Sequence, residues 1–386
     1  MTTDILYIVS RLRPSGPTNQ LYYILKHLND EFDATILTLS PEPEDTELPL
    51  FQDLGVNYET LGLSRWEGLL FGPWRLRRKV QEIDPDIVQT QGIRADTLSA
   101  LFLKGYPRIT TVRNYPYDDY PAKFGTLQGK AMAAEHIRVY RRIDHPVACS
   151  ETIADMVRPH GVDATPIQNG VDTEAYSPVS DEEKRRLRKP LDIPESAMVF
   201  VSVGTLIPRK NPLDVIEGFQ NADIENGMLL LLGDGPLQEE CKSLAAGDDR
   251  VRLEGWVDNV SEYLGASDFF VSASSSEGLP NTVMEALSCG LPVILSDIQP
   301  HREILQYNAE AGTVFDLGDT RSLSEVLSEI LNEEYSVVTA AARTLVVRNL
   351  SAKRMCEQYQ DQYRKITIPK ENVTQKEYHM YGAREE

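Results

Sequence analysis

The sequence is poor in the features that build metal centres, disulfide frameworks and membrane spans. Its four cysteines, Cys149, Cys241, Cys289 and Cys356, form no C-x-x-C pair and lie near no clustered histidines. That argues against a zinc site and a disulfide scaffold and predicts reduced, mostly buried thiols. No segment approaches the roughly 18 consecutive apolar residues of a membrane span. The N-terminus, MTTDILYIVSRLRP, lacks a charged stretch followed by a long apolar run. A soluble, cytoplasmic protein is expected on those grounds. Positive charge is also scarce, with 39 Lys and Arg against 59 Asp and Glu and a net charge of −20. Such a chain lacks the electrostatic footprint of a general nucleic-acid binder. Lysine is the scarcer cation, 13 against 26 Arg, which suits either a salt-tolerant source or simple compositional drift.

What is present is ordinary globular material. The chain has 386 residues, 41% of them hydrophobic and 25% charged, enough for a core in each of two or three domains. Short apolar runs alternate with amphipathic stretches. ILYIVS (5–10), DATILTL (33–39), DIVQTQ (86–91), RITTVR (108–113), PVACS (146–150) and TPIQNG (165–170) read as strands. NQLYYILKHL (19–28) reads as a helix, with Leu21, Ile24, Leu25 and Leu28 on one face. A polar, proline-containing stretch follows at 176–196, and the pattern then restarts. MVFVSVGTL (198–206), GMLLLLGDG (227–235), VRLEGW (251–256), DFFVSAS (268–274) and LPVILSD (291–297) are the strands of a second unit. The expected fold is α/β, with two Rossmann-like doubly wound domains facing a central cleft.

Two segments carry the chemistry. In SSSEGLPNTVMEALSCGLPVILSD (274–297), a strand runs through a Ser/Gly loop into a helix, with Pro280 expected at its first position. Pro280, Val283, Met284 and Leu287 form its apolar face, and its N-terminal N–H groups offer an anion site. Glu277 before the helix and Glu285 within it can accept hydrogen bonds from ligand hydroxyls. In VSVGTLIPRKNPLDVIEGF (201–219), a strand-end loop carries Arg209 and Lys210, with Asn211 expected to cap the next helix. Two adjacent cations there can neutralise a pyrophosphate.

The first string resembles the E-x7-E signature of family-4 retaining glycosyltransferases, and the second resembles their G-x-L-x-x-x-K loop. SRLRPSGPTNQLYYIL is similar to their glycine-containing loop after the first strand, and QNGVDTEAY to the segment at their domain junction. The resemblance implies the GT-B fold and transfer of a sugar from a nucleotide-diphosphate sugar to a glycan, lipid-linked or small-molecule acceptor. Its specific motifs lie mainly in 201–297. The implied organisation is an acceptor-binding domain (1–178), a nucleotide-sugar domain (179–350), a helix crossing back (351–366) and a polar tail (367–386). The implied donor site comprises Gly16, Gly204, Arg209, Lys210, Trp256, Val257, Glu277, Gly278, Leu279, Asn281, Thr282, Val283 and Glu285. Glu285 would bind ribose and Glu277 the donor sugar. Arg209, Lys210 and the amides of Asn281 to Val283 would hold the diphosphate. Trp256 and Val257 would approach the base, although Trp256 also suits a packing role. Family frequency favours UDP over GDP, and no metal or separate cofactor is implied.

The chain departs from the pattern where many members carry a histidine after the TTV-type strand. Arg113 stands there, either holding an anionic group or sugar hydroxyls near the reaction, or serving as an ion-pair partner. With Glu277, Arg209 and Lys210 it completes the catalytic candidates. DPD (84–86) resembles a D-x-D metal motif, but its place between helix and strand predicts a turn. RWEGLLFGPWRLRRKV (65–80) mixes Trp74, Phe71 and leucines with Arg75, Arg77, Arg78 and Lys79. It suits a peripheral membrane or lipid-phosphate contact, or equally a core helix with a basic edge. A nucleotide-sugar epimerase and a non-catalytic sugar-nucleotide-binding protein remain as alternative readings.

Overall fold

The computed structural model describes residues 2–64, 67, 70–332 and 334–367. Among them, thirteen strands form two wholly parallel sheets. The first contains β1 (Thr3–Val9), β2 (Phe32–Thr38), β3 (Asn57–Thr60), β4 (Ile87–Thr90), β5 (Arg108–Val112), β6 (His145–Ala148) and β7 (Thr165–Pro166), in the order β3-β2-β1-β4-β5-β6-β7. The second contains β8 (Met198–Val203), β9 (Gly227–Leu232), β10 (Val251–Gly255), β11 (Phe269–Ser272), β12 (Val293–Ser296) and β13 (Gly312–Phe315), in the order β10-β9-β8-β11-β12-β13. The expected pair of doubly wound units is present. Helices cover both faces of each sheet, so the central strands are buried on both sides. Residues Ile5–Val9 of β1 and all of β4, β5 and β12 are buried, and such strands read as apolar runs rather than alternations.

The strand order reverses between β1 and β4 in one sheet and between β8 and β11 in the other. Loops leaving the C-terminal ends of strands at such a point diverge and leave a crevice. Local chemistry shapes the first of these loops. Ser15 caps the helix Gly16–Lys26 through Thr18 N–H, and Pro17 occupies its first turn. That helix stops at Lys26, short of Leu28.

Two strands escaped the sequence reading. β3 and β13 are four-residue edge strands, largely half-buried, too short and too mixed in polarity to register as a run. Conversely, β7 shrinks to Thr165–Pro166. The chain crosses back late. Helix Tyr335–Asn349 packs on the second unit, Ser351 pairs with Val171, and helix Ala352–Thr367 enters the core of the first. Its Tyr363 hydroxyl meets Tyr7 at 3.0 Å and donates to Gln89 at 2.6 Å. Across the junction, the Glu303 carboxylate accepts the N–H groups of Glu151 and Thr152 at 2.8 Å each, capping helix Glu151–Val157. All four cysteines are buried and unpaired. No helix among the described residues is long and apolar enough to cross a membrane. Of the polar tail, residues 368–386 lie outside the described residues.

Candidate active site

β8 and β11 are neighbours, so the loops that follow them meet. The Ser275 N–H donates to the Arg209 carbonyl at 2.8 Å, and the Asn211 amide donates to the Ala273 carbonyl at 3.0 Å. This corrects the expected cap. Asn211 precedes helix Pro212–Asn221 but sits in left-handed backbone with φ of 46°, and its side chain closes no amide of that helix. Pro280 is likewise the residue before helix Asn281–Ser288, not its first position. Arg209 also donates to the Ser276 carbonyl.

This zipped pair of loops brings three of the predicted side chains together. Lys210 Nζ lies 2.5 Å from Glu277 Oε1, and Arg209 Nη1 lies 3.1 Å from Glu277 Oε2. The Glu277 side chain is only 8% exposed. Burial alone would raise its pKa, but Lys210 and Arg209 outweigh burial and hold it at about 2. The cluster therefore keeps one carboxylate ionised against two cations and carries an excess positive charge. Gly204 packs beneath the Lys210 side chain.

The helix after Glu277 starts beside this cluster. Its first intrahelical bond runs from Met284 N–H to the Pro280 carbonyl, so the N–H groups of Asn281, Thr282 and Val283 have no acceptor within the helix. The side chains of Leu279 and Val283 are buried in the core and can meet a ligand only through backbone. Asn281 takes a role the sequence did not signal. Its Oδ1 accepts from Gln20 and Asn169, each at 3.2 Å, clasping the two units together. Glu285 is 6% exposed, which rules out a solvated helical glutamate. Burial pushes its carboxyl up to about 7.

The opposite wall comes from the first unit. A Cβ on Gly16 would lie 3.0 Å from the Asn281 amide nitrogen, and one on Gly278 would lie 2.0 Å from the Arg113 carbonyl oxygen. The latter approach leaves room only for glycine. Arg113 donates to Asn169 Oδ1 at 2.8 Å and to Gln91 Oε1 at 3.2 Å, and its Nε is buried without a partner. Its side-chain partners among the described residues are neutral amides, so the ion-pair reading does not hold. Arg113 lines a pocket of about 330 Å³ together with Arg11, Ser15, Gln91, Tyr120 and His136.

Trp256 is 66% exposed, so it does not merely pack. With half-buried Val257 it follows β10, after Gly255 in left-handed backbone. DPD is a turn. Asp84 ends helix Gly72–Ile83 in left-handed backbone, and Asp86 accepts the Asp4 N–H at 2.9 Å. Among the described residues, no group of three or more His, Cys, Asp or Glu could hold a metal ion. Within 65–80, Arg65, Trp66, Gly68 and Leu69 lie outside the described residues. Leu76 and Val80 enter the core, whereas Leu70, Phe71, Trp74, Arg75, Arg77 and Arg78 are exposed. Arg78 pairs with Glu82, and Lys79 with Glu59 and Glu82, so part of the basic cluster is neutralised.

Sequence reasoning overlooked His301. It is fully buried, and its Nδ1–H donates to the Ser296 carbonyl at 2.7 Å, leaving Nε2 without a partner. Burial lowers its pKa to about 4, so the ring is neutral. A lone histidine in IQPHRE carries no spacing signal that would have flagged it.

The sequence pattern of glycosyltransferase family 4 matches residues 14–175, and that of glycosyl transferases group 1 matches residues 183–344. The chain is 28% identical over 265 residues to a lipopolysaccharide core biosynthesis glycosyltransferase of Rhizobium meliloti, covering 67% of this chain and 69% of that one. It is 26% identical over 303 residues to the UDP-Gal:alpha-D-GlcNAc-diphosphoundecaprenol alpha-1,3-galactosyltransferase of Escherichia coli, covering 74% and 76%. The crystal structure of Anabaena HepE with UDP-glucose superposes with a TM-score of 0.80 at 16% identity, over 94% of this chain and 99% of that one. Two matched halves, the paired sheets and the joined loops lead to one assignment: the chain belongs to the family-4 glycosyltransferases of GT-B fold.

Proposed function

We propose that this glycosyltransferase moves a hexose from a UDP-sugar to a hydroxyl of a lipid-linked glycan acceptor, with retention of anomeric configuration and without a metal ion or other cofactor. The observation that carries this reading is the Arg209–Lys210–Glu277 cluster beside the free amides of Asn281, Thr282 and Val283. As the bond from the sugar C1 to the diphosphate oxygen breaks, negative charge builds on that oxygen. The two cations and the amides meet it, and one such preorganised donor is worth on the order of 10²–10³ in kcat. The acceptor oxygen forms its bond to C1 on the same face, and its proton passes to the departing phosphate oxygen. Glu277, held at about 2 by its two cations, is too weak a base for that proton and instead accepts hydroxyls of the donor sugar. Glu285 takes the ribose hydroxyls, and Trp256 with Val257 borders the base. Arg113 holds the reacting sugar from the acceptor side.

The Escherichia coli relative, whose name specifies a UDP-sugar and a diphospholipid acceptor, supports that donor and acceptor class. The exposed Leu70, Phe71 and Trp74 beside Arg75 and Arg78 support peripheral contact with an anionic membrane. A thermal-shift panel of nucleotides and nucleotide sugars tests the donor, since a ligand at 100 times its Kd adds about 2.7 kcal/mol. Activity should survive EDTA, and the NMR coupling constant of the product should report the donor's configuration. Inversion, or loss in EDTA that manganese restores, would overturn the mechanism. Nucleotide release that depends on added acceptor separates transfer from epimerisation.

A further inference from the structure

The pocket on the first unit contains a hydrogen-bonded chain that the transfer chemistry above does not use. Asp96, on helix Ile93–Phe102, is fully buried. Its Oδ1 accepts from Thr90 at 2.6 Å and from Thr110 at 2.7 Å, and its Oδ2 lies 2.9 Å from His136 Nε2. His136, on helix Thr126–Tyr140, is 2% exposed, and its Nδ1 lies 2.5 Å from the Tyr120 hydroxyl. The Tyr120 ring stacks on the imidazole at 5.8 Å between centroids and 16° between planes. Tyr120 and His136 both line the pocket.

The partners admit the following placement of protons. Two hydroxyls and an imidazole N–H make the Asp96 carboxylate an acceptor through both oxygens, which places the His136 proton on Nε2. In that tautomer the ring presents Nδ1 to the Tyr120 hydroxyl as a lone pair. Tyr120 donates its only proton there, and burial, then Asp96 and Asp119, keep that phenol protonated. The Tyr120 oxygen is left with acceptor capacity alone, on a residue that lines the pocket together with Arg11, Arg113 and Lys123. Asp119, the carboxylate beside it, is engaged by Lys123 at 2.8 Å. A buried polar chain is costly unless every member is satisfied, and here each link has a partner except the outward face of Tyr120.

We propose that Tyr120 is a positioning residue for the acceptor: its oxygen, committed by His136 and Asp96 to accepting, receives a hydrogen bond from a hydroxyl of the acceptor's sugar. This rests on the reading that the pocket holds the acceptor. At this corner the site takes a hydroxyl and refuses a phosphate or carboxylate, which can only accept. Arg11 and Arg113 offer the opposite polarity.

The test compares wild type with Tyr120→Phe, which keeps the ring stack and removes one oxygen. The probe is octyl N-acetyl-α-glucosaminyl diphosphate with a UDP-hexose, and both transfer and donor hydrolysis are measured. Loss of one hydrogen bond should raise KM for the probe about tenfold and lower the ratio of transfer to hydrolysis by a similar factor, with kcat moving less. Unchanged KM and ratio overturn the proposal. Independently of any acceptor, nitrogen-15 NMR of the wild type should show His136 Nδ1 unprotonated, and a protonated Nδ1 overturns the proposal too. A wild type that hydrolyses the donor but ignores the probe ends the lipid-diphosphate reading; a protonated His136 Nδ1 would then still overturn the proposal for Tyr120.

Discussion

Lys210 Nζ lies 2.5 Å from Glu277 Oε1, joining two motifs that are 67 residues apart in the chain. The contact couples the ionisation of the site to its charge balance. Glu277 stays charged because two cations face it, and the cluster keeps an excess positive charge because only one carboxylate answers those cations.

Lys210→Ala should lower transfer on the order of 10²–10³ while leaving the fold intact. It should also change acid stability. A carboxyl held at about 2 in the folded protein contributes stability above its ordinary value of ~4.5, and that contribution is lost as pH falls toward 2. Removing one cation raises the folded value, so acid unfolding should begin at higher pH in the variant. Circular dichroism across an acid titration reads that shift, and steady-state kinetics reads the first effect. Near-normal turnover would remove Lys210 from the chemistry.

Glu285 has the opposite sign. Its folded carboxyl is raised to about 7 by burial, so its contribution to stability is present below ~4.5 and is lost as pH rises through 7. If Glu285 takes the ribose as proposed, the hydroxyls donate to its ionised form, so binding of a UDP-hexose should draw the pKa down and release a proton. Affinity for a UDP-hexose, whose esterified diphosphate has no proton to lose in this range, should therefore rise between roughly pH 6 and 8. The neighbouring Tyr23 and Tyr176, both raised by burial, do not titrate in that range. Calorimetry in buffers of different ionisation enthalpy measures the proton, and Glu285→Gln should flatten the profile. A flat profile in the wild type would refute the ribose assignment.

Gly278→Ala places a Cβ where the Arg113 carbonyl oxygen already lies, 2.0 Å away. Backbone cannot yield as a side-chain tip does, so the two units should be held apart. A displacement of about 1 Å at the reacting atoms can cost roughly 10²-fold in rate. X-ray scattering should show a more open particle, and transfer should fall with little change in thermal stability. Unaltered scattering and rate would mean that the closed approach is unnecessary for turnover.

Membrane contact predicts salt-dependent binding to vesicles containing anionic lipid. Each basic residue near such a surface contributes about 1 kcal/mol, and Lys79 and Arg78 are already paired with glutamates. The apolar side chains should therefore matter as much as the charge. Replacing Leu70, Phe71 and Trp74 by Ser should abolish cosedimentation with vesicles at low salt. If the wild type stays in the supernatant at low salt, the exposed face has another use.

The sequence by itself determined the parts of this protein that depend on neighbours along the chain. Strands buried on both faces, such as β1 from Ile5 onward and β12, announce themselves as apolar runs because each of those residues meets a covering layer. Short edge strands such as β3 and β13 do not, since only part of each is covered. The residue types of the Arg209–Lys210–Glu277 cluster and of Glu285 were likewise legible in two contiguous strings. What they touch was not. Strand order places β8 beside β11, and only then does Glu277 lie between Arg209 and Lys210. Only the meeting of the two units turned Asn281 into a clasp, made Gly278 obligatory and left Arg113 among amides. Asp96, Tyr120 and His136 became one chain because helices from separate stretches converge on a single buried carboxylate. A hydrogen bond depends on proximity in space, and the folded sheets, not the local pattern, decided which groups came within reach.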